Sequence, residues 1–183
     1  MLSNKKFKFF TILTSLIAAS LLTSCATLTE DITVDTKSDS TINYDTYKTY
    51  AWSENSQIIF DAIGQWEQPT LDTDEEVKFV INRELRAHGL RQVTDNPDLY
   101  VSFVAGVDTT ILELKEDPNS NKKVLTNVPK AALVIALIDG KSGYTIWLGH
   151  AVGNVQPQQT IENIRKRIDY AVSEIFKTYN KKK

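Results

Sequence analysis

Cys25 is the chain's only cysteine, and its thiolate is the strongest nucleophile the sequence offers. The residues before it read as preparation for a modification at that sulfur. Leu22 is aliphatic and Thr23 and Ser24 are small, and small side chains beside a scissile bond are what a processing peptidase admits. Small residues thus lead straight to the thiol. Upstream, Asn4, Lys5, Lys6 and Lys8 make a positive stretch, and residues 9–22 an apolar one. The apolar run has the length of an export signal and falls short of the ~20 residues a bilayer-spanning helix needs.

Leu22-Thr23-Ser24-Cys25 resembles a bacterial lipobox. That resemblance implies cleavage before Cys25, a diacylglyceryl group on its sulfur and, in many bacteria, a further acyl chain such as palmitate on its amino group. Each buried CH2 contributes about 0.8 kcal/mol, so two or three chains anchor stably where one binds only marginally. The expected organisation is a signal peptide over 1–24, a lipid-anchored tether over 25–30 and a single domain over 31–183. Ala26 stands where an aspartate often retains lipoproteins at the inner membrane, so the expected destination is the outer membrane, facing the periplasm. Loss of Lys5, Lys6 and Lys8 with the signal carries the formal charge from -2 to -5. No second cysteine is present to form an intramolecular disulfide.

Other chemistry is sparse. With two His, one Cys and one Met, no metal site of several soft or imidazole ligands can be assembled within the chain. His88 and His150 stand near no serine or cysteine nucleophile motif, and there is no phosphate-binding glycine loop. The acids Asp72, Asp74, Glu75 and Glu76 cluster where a helix begins, and the positive end of its dipole explains them. Lys and Arg total 21 against 23 Asp and Glu, which gives nucleic-acid binding no electrostatic support. No cofactor and no enzymatic activity are expected. The aromatics are the better lead. Tyr47, Tyr50, Trp52, Trp66 and Trp147 would either line a binding surface or pack a sheet against its helices, where large rings contribute most.

The elements that must position these residues follow from periodicity. Ile32 and Val34 alternate with polar residues as a weak strand, and aromatic density predicts a second strand over 46–52. Residues 53–71 read as a long irregular connection. Val77, Val80, Ile81 and Leu85 fall on one helical stripe, predicting a helix over 73–88 that begins at Asp72 or Thr73, with Thr73 and Glu76 at capping-box spacing and Gly89 as its stop. From Asp98 the odd positions through Val107 are apolar, a half-buried strand. The turn-rich Asp117-Pro118-Asn119-Ser120-Asn121 predicts a hairpin with 122–129. The apolar run 131–138 suits a central strand, turning through Asp139-Gly140-Lys141-Ser142-Gly143 into a partner over 144–152. Ile161, Ile164, Ile168, Ala171, Val172, Ile175, Phe176 and Tyr179 form the stripe of a final helix. The fold class expected is α+β, a two-layer sandwich of a mainly antiparallel sheet with two helices packed on one face.

Several pieces in order are familiar. Tyr44-Asp45, then Tyr47-Lys48-Thr49-Tyr50-Ala51-Trp52, then Glu84-Leu85-Arg86-Ala87-His88-Gly89-Leu90, then Asn96-Pro97-Asp98-Leu99-Tyr100-Val101 resemble the DUF4136 family of bacterial lipoproteins. Leu137-Ile138-Asp139-Gly140-Lys141-Ser142-Gly143 and Ile146-Trp147-Leu148-Gly149-His150-Ala151 continue the likeness, which spans most of 30–180. The chain departs from the family's pattern at Leu148, where a polar or basic residue is more usual, and at Asp139-Gly140, where Asp-Ala is. The resemblance implies an exported, lipid-anchored α+β domain and brings no catalytic residues.

The function expected is a non-enzymatic interaction or assembly module at the membrane, with another envelope protein as its partner. The alternative is a lipoprotein that binds a small ligand, lipid or glycan between the sheet and the 53–71 connection.

Overall fold

The computed structural model describes residues 28–54, 57–59, 72–108, 112–116, 123–156 and 159–179. Cys25, its signal and Trp66 lie outside these residues.

The strands are β1 (Thr33–Ser38), β2 (Thr49–Trp52), β3 (Gln57–Ile59), β4 (Arg91–Gln92), β5 (Leu99–Asp108), β6 (Leu112–Glu116), β7 (Lys123–Asn127), β8 (Lys130–Asp139) and β9 (Thr145–Asn154). The helices are α1 (Thr73–Ala87) and α2 (Ile161–Phe176). Seven strands form one sheet in the order β1-β9-β8-β5-β2-β4, with β3 alongside β5 beyond the end of β2. The β1–β9, β9–β8 and β8–β5 pairs are antiparallel; β2 and β3 run parallel to β5, and β4 parallel to β2. β6 and β7 pair separately, with Leu114 opposite Leu125. The protein is thus an α+β domain, its antiparallel half extended by short parallel strands.

One face of the sheet makes the core. Leu99, Val101 and Phe103 of β5, Leu133, Ile135 and Leu137 of β8, and Trp147 and Ala151 of β9 are buried. They pack against Val77, Val80, Ile81 and Leu85 of α1 and Ala171, Val172, Ile175 and Phe176 of α2. Alternation of period two in the strands and a stripe of period 3.6 in the helices meet there, as two-layer packing requires. Gly149 sets how closely α2 sits on β9: a Cβ at that position would lie 2.4 Å from Ile175 Cγ2 and 2.8 Å from the Trp147 ring. The two helices lie side by side, with Arg165 Nε donating to Glu76 Oε2 at 2.9 Å and Arg83 paired with Asp169. These are exposed pairs that steer the helices more than they stabilise them.

The helix ends refine the sequence reading. Asp72, not Thr73, caps α1, its side chain accepting from the Glu75 N–H at 3.1 Å. Thr73 is buried as the first helical residue, so the Thr73–Glu76 spacing is not used as a capping box. His88 is the C-cap rather than the last helical residue. Gly89 follows at φ +83°, with its N–H donating to Arg86 O and the Leu90 N–H to Leu85 O, both at 2.9 Å. Those two bonds and the burial of Leu85 and Leu90 make a Schellman stop. Thr160 caps α2 by accepting from the Asn163 N–H at 3.2 Å.

Two other expectations change. The strand predicted over 46–52 begins only at Thr49, because Asn43 caps a single turn of 3-10 helix at Tyr44–Thr46, accepting from the Asp45 N–H. Within the connection read as irregular, Gln57–Ile59 is a strand pairing with Val104, Ala105 and Gly106 of β5.

Candidate functional site

The aromatic residues singled out in the sequence do not converge on one surface. Tyr50 is wholly buried and Trp147 is 1% exposed, which corrects any reading of these two as surface residues. Trp147 stacks on Phe176 with ring centroids 5.2 Å apart, and the Tyr50 hydroxyl donates to Asn82 Oδ1 at 2.7 Å. Trp52 is half-buried, its ring edge-on to Phe103 at 6.0 Å, and its Nε1 shares the Asn82 oxygen at 3.2 Å. Asn82, on the inner side of α1, is therefore the polar partner that lets two β2 aromatics enter the core. Tyr47 is also half-buried.

Tyr47 belongs instead to a cluster of loops at the end of the sheet where β2, β5 and β9 begin and β8 ends. Its hydroxyl donates to Asp139 Oδ2 at 2.9 Å. Asp139 Oδ1 accepts the backbone N–H groups of Lys141 and Ser142, at 3.2 and 2.6 Å. Bonds from Ser142, then from Tyr47, lower the carboxyl pKa to about 2. Burial, then the bond to Asp139, pushes the Tyr47 phenol up to about 12. Asp98 is held similarly: its Oδ2 accepts from the N–H of Lys48, the N–H of Thr49 and the Thr49 hydroxyl, each at 2.9 Å. Those bonds, led by the one from the Lys48 amide, keep its pKa below the ordinary carboxylate range.

The two aspartate loops are also joined through the backbone, the Gly140 N–H donating to Asp98 O at 2.8 Å. A Cβ at Gly140 would lie 2.3 Å from Pro97 O, so glycine permits this approach. Both carboxylates are held ionised by donors that organise turns, an arrangement suited to fixing loops and unlike the raised pKa of a general acid.

The two histidines are similarly placed by structure. The His88 ring stands edge-on to Tyr179 at 5.0 Å. His150 lies on the opposite face of the sheet, in register with Val134 on one side and Asp35 on the other. Among the described residues no group of three or more His, Cys, Asp or Glu side chains could hold a metal ion. No helix among them is long and apolar enough to cross a membrane.

The second face of the sheet is not marked by those aromatic residues. Rows across β5, β8 and β9 place Tyr100 beside Ile138, Ala136 between Ser102 and Leu148, Val134 between Val104 and His150, and Ala132 between Gly106 and Val152. Tyr100 is 39% and Val104 42% exposed, the other apolar members of these rows are half-buried, and both helices are on the opposite face. Alternating inward and outward apolar residues in 131–138 were the sequence signal, since a strand covered on one side only ordinarily carries polar residues on the other.

This architecture, a two-layer α+β domain with both described helices on one face of the sheet, defines the structural class. The family model of the domain of unknown function DUF4136 matches residues 34–179, and the chain belongs to that family. A DUF4136 family protein from Bacteroides thetaiotaomicron is similar in structure, with a TM-score of 0.53 at 14% identity, covering 80% of this chain and 95% of that one. A PDZ domain protein from Parabacteroides distasonis gives a TM-score of 0.49 at 15% identity over 88% of this chain and 40% of that one. The PelC dodecamer from Paraburkholderia phytofirmans gives 0.44 at 15% identity over 79% and 94%. No curated protein matches the chain.

Proposed function

We propose that this protein is a non-enzymatic interaction module of the bacterial cell envelope. Acyl chains on Cys25 hold it at the outer membrane, facing the periplasm, and the sheet face opposite the helices docks another envelope protein. The observation that carries this reading is that face, an apolar strip running from Tyr100 and Val104 across Val134, Ala136 and Ile138 to Leu148 and Val152. Tyr100 and Val104 are its exposed members, and apolar residues gathered on one surface favour an interaction site. The lipobox at Leu22-Thr23-Ser24-Cys25 supports the anchor, and the commitment of Asp98 and Asp139 to loop amides supports a structural rather than catalytic role for the family's aspartates.

The test is in-cell photocrosslinking at native expression level with the crosslinker at Val104, beside a control at Phe79, which is 66% exposed on α1. Discrete adducts with one or a few envelope proteins from Val104, absent from Phe79 and lost in Cys25→Ala, support the reading. Equal, diffuse labelling from both positions contradicts it.

A further inference from the structure

We propose that β1 pairs with β1 of a second copy, antiparallel and centred on Thr36, joining two sheets into one across a twofold axis. The strand lies at the end of the sheet order. Its six residues pair with β9 in unbroken register, and they include neither proline nor a bulge, two of the devices that usually protect an edge from pairing. The Asp39 N–H donates to Ile146 O at 2.9 Å. By the alternation of an antiparallel ladder, the odd-numbered N–H and C=O groups of β1 therefore point to β9, and those of Val34, Thr36 and Ser38 point away from the sheet.

Charge selects the partner and the register. Asp35 and Lys37 are exposed on the face opposite α2, and neither has an ion-pair partner in its own chain among the described residues. In a pairing that sets Thr36 opposite its own copy, the outward groups of Val34, Thr36 and Ser38 meet those of Ser38, Thr36 and Val34. Asp35 then faces the second copy's Lys37 twice, at the closely spaced non-hydrogen-bonded positions. Shifting the centre one residue toward the amino terminus sets Asp35 against itself, and one residue the other way sets Lys37 against itself. Like charges directly opposite destabilise a strand pair, so both neighbouring registers are disfavoured. On the inner side, the turn after α2 is tied to the strand by the 2.7 Å hydrogen bond between the Thr36 and Thr178 hydroxyls.

The experiment measures the protein mass of the full chain, solubilised in detergent, by sedimentation across concentrations up to about 100 μM, the range of small interfaces. The wild type is expected to reach two chains. Asp35→Lys and Lys37→Asp each put like charges opposite one another and should weaken the dimer at least about tenfold, and the double variant, which restores two opposite-charge pairs, should recover it. Thr36→Pro removes an N–H that β9 does not use and should give single chains with an unchanged circular dichroism spectrum. A wild type that stays single, or a dimer indifferent to the charge changes and to Thr36→Pro, overturns the proposal. Failure of the double variant to recover, with its fold intact, overturns the register. None of these outcomes depends on acylation or on the sheet face opposite the helices.

Discussion

Thr49 and Asp98 are donor and acceptor to each other in both directions: the Thr49 hydroxyl and N–H donate to Asp98 Oδ2, and the Asp98 N–H donates back to Thr49 Oγ1, all at 2.9 Å. The clasp fixes where β2 starts relative to β5, so that Tyr50 falls opposite Leu99 and Trp52 opposite Val101. Parallel strands have no tight turn to set their register, and here a side chain does it.

Asp98→Ala leaves the Lys48 and Thr49 amides without that acceptor and should cost about 2 kcal/mol of unfolding free energy, within the range for charge-assisted bonds at a partly exposed site. Asp98→Asn keeps an acceptor and should cost about half as much. Urea denaturation of the three proteins orders them.

The Tyr47–Asp139 pair predicts losses of stability at both ends of the pH range. Asp139 has a folded pKa of about 2, below the ordinary value near 3.9. Its contribution is full above about pH 4 and disappears as pH falls toward 2, because the unfolded chain takes up the proton first. Tyr47, raised to about 12 from about 10, contributes fully below about pH 10 and loses its contribution between about 10 and 12. Tyr47→Phe should cost about 1 kcal/mol at pH 7, progressively less below pH 4, and should remove this residue's alkaline limb. Chemical denaturation at a series of pH values reads all three effects.

Two glycines should respond differently to alanine. Gly89 is at φ +83° with open space where a Cβ would stand, so Gly89→Ala costs only the left-handed strain, about 1–2 kcal/mol. Gly140→Ala drives a methyl into Pro97 O and Asp98 O, both backbone atoms, and should cost about 3 kcal/mol or more. Paired thermal melts separate the two.

Tyr179→Phe should be neutral or stabilising by up to about 1 kcal/mol. The Tyr179 hydroxyl is buried with no hydrogen-bond partner among the described residues, and its ring packs edge-on against Tyr44, Trp147 and Phe176. Phenylalanine keeps those contacts and removes the unsatisfied oxygen. Destabilisation by more than about 1 kcal/mol in a melt would show that the hydroxyl does have a partner, such as a bound water.

The elements with strong local patterns were legible in the sequence. The odd-position stripe of β5, the α1 stripe with its Gly89 stop and the Asp139–Gly143 turn all stand where residue spacing puts them. β3 and β4 were not legible, because strands of three and two residues exist only through parallel pairing with distant β5 and β2. The strand read from Thr46 by aromatic density starts only at Thr49, because the Asn43 side chain caps a turn over Tyr44–Thr46. The inward direction of Tyr50 depends on Asn82, which is 32 residues away.

The proposed anchor is tested by the intact mass of the mature chain extracted from membranes, with fragmentation of its amino-terminal peptide. The expected chain begins at Cys25 and carries a diacylglyceryl group on the sulfur, with Cys25→Ala lacking the modification and released from the membrane. A wild-type chain with a free Cys25 thiol, or Cys25→Ala still fully membrane-bound, would contradict it.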